Sequence, residues 1–312
     1  MVDDLTAMSN RQQGAATGVA DGLIFTVGGF DGKEPLQTVE IFECATSTWE
    51  VGPPLPAGRR GFGIAAHGQW LFLVGGFSDA CLDSLLMFSI RTCEWQEGPR
   101  MASKRRDLAA VVHENRLYAL GGSMEGKLLD SIEVFDLVSW KWELGPPLPT
   151  ARANLSSAAW GPQIFAIGGN IACRSVEPIS AVDVLDLASC RWLSAQPMNA
   201  RRCDLGVAVH NDRIFAFGGY GGYLRTGYLD TVEILDCHTG VWEDGPPMWL
   251  TRSGLGVTAR NNKIYIMGGP FAGVGSTTME ILDANTLEWT LGPEMPSKRW
   301  GFGVAAESVK DD

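Results

Sequence analysis

Four histidines and seven cysteines are the first places to look for nucleophilic or metal chemistry in this chain. His67, His113 and His210 share one register of a repeating pattern, and His238 stands apart from them. Three histidines converging on one point could ligate a metal, but they lack carboxylate company, and metal binding is not expected. A Ser-His-Asp or Cys-His arrangement would need a histidine in the variable loops, and none lies there. The cysteines (Cys44, Cys81, Cys93, Cys173, Cys190, Cys203 and Cys237) stand singly, without a CxxC pair. That is neither a disulfide framework nor a zinc-ribbon spacing, so a reducing compartment is expected, the cytoplasm or the nucleus. Cys173 has Arg174 beside it, which favours a thiolate, yet it reads as an ordinary surface cysteine. The glycine pairs lack the lysine and the following helix of a phosphate loop. No cofactor is expected. The remaining chemistry is recognition: arginine and aromatic side chains in variable segments, the usual anchors of protein interfaces.

The elements that position these residues follow from self-similarity. Six diglycines fall at Gly28-Gly29, Gly75-Gly76, Gly121-Gly122, Gly168-Gly169, Gly218-Gly219 and Gly268-Gly269, spaced 47, 46, 47, 50 and 50 residues apart. Six tryptophans (Trp49, Trp95, Trp142, Trp192, Trp242, Trp289) and six arginines (Arg59, Arg105, Arg152, Arg202, Arg252, Arg299) keep the same period. Short β-branched and aromatic runs such as LIFTVGG and RIFAFGG precede the diglycines and are too short for helices. Alternating segments such as TVEIFE and TVEILD follow a variable loop, then the tryptophan opens a third strand that ends in most repeats at a Gly-Pro break. A fourth strand after each arginine is small and smooth, as in GFGIAAH and DLGVAVH, which suits crowding around one axis. The fold class is all-β, with four antiparallel strands per repeat.

Diglycine, tryptophan and arginine at these offsets resemble the kelch repeat, over about residues 14–307. The resemblance implies a single six-bladed β-propeller, strands a to d running outward from the axis, between a flexible segment 1–13 and a tail 308–312. There are six b–c–d sets but seven segments like strand a. WGFGVAA at 300–306 nearly copies RGFGIAA at 60–66, so the C-terminal strand is expected to complete blade 1 and remove an open edge. Segment 14–20 is left without a place.

In such a blade the b–c and d–a loops emerge on one face and the short, uniform a–b and c–d turns on the other. The first set carries the variation, and variable loops on a rigid scaffold are where binding residues sit. Its d–a loops hold Arg59, Arg60, Lys104, Arg105, Arg106, Arg152, Arg201, Arg202, Arg252, Lys298 and Arg299, 11 of the 25 Lys and Arg. The six repeated arginines are read as inter-blade structure, with Glu40, Glu133, Asp183, Glu233 and Glu280 as their partners and Leu86 breaking the series. The candidate binding residues are therefore those that do not repeat: Arg60, Arg106, Lys104, Arg201 and Lys298, with Phe30, Phe77, Tyr220, Tyr223, Tyr228 and Trp249. Phe271 and Trp300 belong to the same loops, and Trp300 is also read as part of the closing strand. The periodic tryptophans are packing residues.

A net charge of -11 argues against nucleic acid, and no apolar run reaches the roughly 18 residues of a membrane span. A basic rim on an acidic body attracts acidic segments, so the expected partner is a protein or peptide with acidic residues. Catalytic relatives of the fold set tests that this chain does not meet. A galactose-oxidase-like copper site needs histidines, tyrosines and a cysteine on the loop face, and the iron pattern of kelch-type specifier proteins is absent. A sialic-acid-epimerase-like site would lean on Glu177, Glu34 or Asp79, as part of the alternative reading, a sugar or acidic-metabolite binder at the channel mouth. The resemblance otherwise implies a non-catalytic scaffold, as in the substrate-recognition parts of ubiquitin ligases or in cytoskeletal adaptors. There a BTB or F-box segment usually supplies the second function. With no such segment before residue 14, the expectation is a domain of a longer chain or a subunit of an assembly.

Overall fold

A computed structural model describes residues 22–173, 175–222, 227–271 and 274–306. Segments 1–13, 14–20 and 308–312 lie outside the described residues. Six four-stranded antiparallel sheets form the blades, and the described residues contain no helix. Blades 2 to 6 each take their strands in order. They are Gly63–His67, Trp70–Val74, Leu85–Ser89 and Glu94–Glu97 in blade 2; Ala109–His113, Arg116–Leu120, Ile132–Asp136 and Lys141–Leu144 in blade 3. Blade 4 has Ser156–Trp160, Gln163–Ile167, Val182–Asp186 and Arg191–Ser194; blade 5 has Gly206–His210, Arg213–Phe217, Val232–Asp236 and Trp242–Gly245. Gly256–Arg260, Lys263–Met267, Met279–Asp283 and Trp289–Leu291 make blade 6.

Blade 1 is the exception and the closure. Its strands b to d are Leu23–Val27, Val39–Glu43 and Thr48–Gly52, and its strand a is Gly303–Ala306 from the other end of the chain. Thr26 stands opposite Val304 and Val27 opposite Gly303. Two two-stranded hairpins, Ser123–Met124 with Lys127–Leu128 and Pro270–Phe271 with Val274–Gly275, decorate the b–c loops of blades 3 and 6.

The core lies between blades rather than within any one of them. Phe165 and Val184 of blade 4 pack against Ile214, Ala216 and Leu235 of blade 5, while Phe215 and Phe217 on the other side of the same strand meet Ile264 and Ile266 of blade 6. Both faces of strand b are therefore dry, which explains its unbroken apolar run. Each periodic tryptophan adds a polar tie. Its indole N–H donates to a carbonyl just after the preceding blade's outer strand, as Trp95 does to Pro53 at 3.0 Å and Trp242 to Gln196 at 3.0 Å. The tryptophans are thus packing residues that also latch neighbouring blades.

Candidate functional site

The diglycines and the repeated arginines bring the b–c and d–a loops together on one face. At Gly28-Gly29 both φ angles are positive, +57° and +98°, and a Cβ on Gly29 would stand 2.6 Å from Cβ of Phe302. Only glycine takes that conformation at that approach without strain. The second glycine of each pair then donates to the carbonyl of the repeated arginine, as Gly219 does to Arg252 at 2.7 Å. The arginine side chain crosses to the next blade. Arg202 donates to the Gly218 and Thr231 carbonyls at 2.8 and 3.0 Å and pairs with Glu233 at 2.8 Å. Arg105–Glu133, Arg152–Asp183, Arg252–Glu280 and Arg299–Glu40 repeat the clasp, with all five guanidiniums buried. A buried charge is tolerated only when paired and hydrogen-bonded, so these arginines are structural. Arg59 alone has no buried carboxylate partner, because Leu86 stands at that position; Glu97, opposite Leu86 on the outer strand, acts on it only through space.

Above this framework the structure gathers four of the candidate residues. Arg60 bridges backbone with Phe77, and Phe30 with Trp300. The Arg60 guanidinium lies 4.3 Å from the Phe30 ring centroid, 5.6 Å from Phe77 and 5.9 Å from Trp300, with Phe30 and Trp300 edge to face at 5.3 Å. The Arg106 guanidinium also lies over Phe77, 5.1 Å from its centroid. Such cation–π contacts contribute roughly 0.5–2 kcal/mol each and help to hold both guanidiniums in place. All five side chains are partly exposed. Trp300 therefore lies in this cluster rather than in the closing strand, which begins at Gly303.

The other candidates lie apart. Tyr220 and Tyr228 pair with each other at 5.9 Å in blade 5, across the ring from the cluster. Trp249 stands 54% exposed on the loop between blades 5 and 6. Lys104, Arg201 and Lys298 are exposed, with no ion pair among the described residues. Tyr223 and Arg174 lie outside the described residues. The epimerase-like carboxylates do not converge: Glu34, Asp79 and Glu177 sit exposed in the loops of blades 1, 2 and 4. Among the described residues no three His, Cys, Asp or Glu side chains are grouped to hold a metal.

The channel mouth carries a feature that the repeat pattern does not announce. Two residues after each repeated arginine stand Gly61, Asp107, Asn154, Asp204, Gly254 and Gly301, all with φ between +52° and +58°. Each donates its N–H to the carbonyl of the one before it, and Gly61 to Gly301, closing a ring of six backbone hydrogen bonds. Half of the ring is bare glycine and the other half carries side chains. Asn154 donates to Asp204 at 2.6 Å, and Asp107 lies 3.4 Å from Nε of Arg106. The signal was present in the sequence, since glycine, asparagine and aspartate are the residues that tolerate this conformation. Below the ring, Ile64, Ala66, Val111, Ser157, Val209 and Ala259 help to line a cavity of about 460 Å³.

Burial, and then the neighbouring Asp107, push the Asp204 carboxyl up to about 7, partly offset by the Asn154 hydrogen bond. Burial also raises Asp107, with Arg106 and Arg60 opposing it. A carboxyl raised in the folded state binds its proton more tightly there than in the unfolded chain, so its contribution to stability falls as pH climbs from about 4 to about 7. Asp204→Asn keeps the acceptor for Asn154 and removes the titration. Its Tm relative to wild type should therefore rise between pH 5 and pH 8. Thermal melts at both pH values check this, and a constant difference would contradict it.

The KLHDC2/KLHL20/DRC7 Kelch-repeats domain matches residues 5–122 and 97–269, and the Kelch motif matches residues 251–296. Kelch-like protein 35 of Homo sapiens is 38% identical over 58 residues, 19% of this chain and 10% of that protein's length. With six four-stranded blades and these matches over most of its length, the chain belongs to the kelch-repeat family of β-propellers.

Proposed function

We propose that this propeller is a non-catalytic interaction scaffold that binds a protein or peptide partner on the b–c/d–a loop face. Kelch propellers are commonly protein-interaction modules, and the observation that carries the reading here is the Arg60–Phe30–Phe77–Trp300 cluster with Arg106 beside it. Pre-positioned arginines lose little entropy on binding and can take a carboxylate through two N–H donors. The partner therefore presents acidic residues to the rim, with Lys104, Arg201 and Lys298 adding long-range attraction. Tyr220, Tyr228 and Trp249 offer a second aromatic contact across the mouth, to which Tyr223 is added from the sequence alone. Service in a ubiquitin-ligase or cytoskeletal assembly, in the cytoplasm or nucleus, fits this chemistry.

The test is capture of partners from native extract by wild type and by an Arg60→Glu/Arg106→Glu/Lys298→Glu variant of equal Tm. Specific proteins held by wild type and lost by the variant are the expected result. Identical profiles would contradict the face. A shift of several degrees in Tm with one sugar or acidic metabolite, or a stoichiometric bound metal, would favour a small-molecule site in the channel instead.

A further inference from the structure

The six blade junctions are not equal, and the odd one lies directly beneath the arginine–aromatic cluster. In five junctions the arginine carried over from one blade meets a buried carboxylate of the next. Between blades 1 and 2 the arginine is kept and the carboxylate is lost. Arg59 is 4% exposed and makes no ion pair among the described residues; its Nη1 makes two long hydrogen bonds, 3.4 Å to the Gly75 carbonyl and 3.3 Å to Oγ of Ser84. Leu86 fills the place of the acid. In blades 3 and 5 the acid also accepts from the amides of Ala102 and Asn199, contacts that a leucine cannot make. A buried pair with one member removed is the least stable arrangement of such a site, worse than either the intact pair or an apolar replacement of both.

Two further features distinguish the same side of the ring. Gly254, Gly301 and Gly61 form the bare half of the hydrogen-bonded ring at the channel mouth. Blade 1 is itself completed by a strand from the other end of the chain. What spans the junction from outside is Arg60. Its backbone is bridged to Phe77 of blade 2, while its guanidinium lies closest to Phe30 of blade 1.

We propose that the junction of blades 1 and 2 is the opening point of this propeller, a conformational device in which Arg60 is the outer latch over a junction whose inner clasp is missing. The device belongs to the ring itself and does not depend on what binds the face. A ligand that draws Arg60 off Phe30 loosens the junction, so occupancy of the loop face is coupled to the closure of the ring.

Matched amides make the test internal. The N–H groups of Arg59, Arg60 and Gly61 are hydrogen-bonded in the same way as those of Arg202, Cys203 and Asp204, whose junction has its carboxylate. In hydrogen–deuterium exchange on the intact protein, corrected for intrinsic rates, residues 59–61 should exchange at least tenfold faster than 202–204. Arg60→Ala should widen that ratio severalfold while leaving 202–204 unchanged. Leu86→Glu, which restores the acid, should narrow it. Equal rates in wild type, or an Arg60→Ala variant with unaltered exchange at 59–61, would overturn the proposal. These two comparisons decide the matter even where Leu86→Glu does not fold.

Discussion

Deleting residues 299–312 should abolish cooperative unfolding of the propeller, leaving a species that aggregates or melts without a sharp transition. The deletion removes three things at once. Strand Gly303–Ala306 goes, leaving Leu23–Val27 as an unpaired inner edge of its sheet. Phe302 and Val304 leave the core between blades 6 and 1, uncovering Ile24, Tyr265 and Met267. Burial of one such large apolar side chain is worth roughly 1.5–3 kcal/mol. Arg299 also goes, with its bonds to the Gly28 carbonyl at 3.1 Å and to Glu40 at 2.9 Å, so Glu40 becomes a buried, unpaired anion. That adds about 3–5 kcal/mol. The total rivals the roughly 5–15 kcal/mol that holds a typical domain together. Urea denaturation and size-exclusion chromatography measure it, and an unchanged melting temperature would contradict the closure.

The second large effect is expected at Glu233. Its Oε1 accepts from Nε and Nη2 of Arg202 at 3.1 and 2.8 Å and from the Ala200 amide at 3.0 Å, and its Oε2 accepts from the Asn199 amide. Glu233→Ala leaves Arg202 fully buried, with its charge uncompensated and two amides unsatisfied. The expected loss is about 3–5 kcal/mol, read as a lower urea midpoint at unchanged m. Arg202→Met combined with Glu233→Leu should recover part of it, because an apolar pair removes the desolvation cost of both ions. A loss below about 1 kcal/mol for Glu233→Ala would mean that the clasp is decorative rather than structural.

The repeated features were readable because each answers a local physical demand in every blade. The diglycine meets a left-handed close approach, the small strand crowds the axis, and the arginine clasp could be paired with its acids by register, including the gap at Leu86. Blade 1's closure was legible because residues 300–306 repeat residues 60–66 almost letter for letter. The channel-mouth ring was not seen, because Gly61, Asp107 and Asn154 share a backbone conformation rather than a side-chain type. The grouping of Arg60, Phe30, Phe77 and Trp300 joins four different loops, so no spacing within one repeat encodes it. The same holds for the indole N–H of each periodic tryptophan, which reaches a carbonyl of the neighbouring blade. Charge and exposure alone put Lys104, Arg201 and Lys298 on the rim without saying what they meet.

The measurement that bears most directly on the binding face is partner capture with a control on the opposite side. Wild type, the Arg60→Glu/Arg106→Glu/Lys298→Glu variant and a Lys141→Glu/Arg191→Glu/Lys263→Glu variant carry matched charge changes on opposite faces, and all three must show equal Tm. The account predicts that specific proteins are captured by wild type and by the Lys141/Arg191/Lys263 variant, and are lost from the Arg60/Arg106/Lys298 variant. Loss from the Lys141/Arg191/Lys263 variant alone, or equal capture by all three, would contradict it.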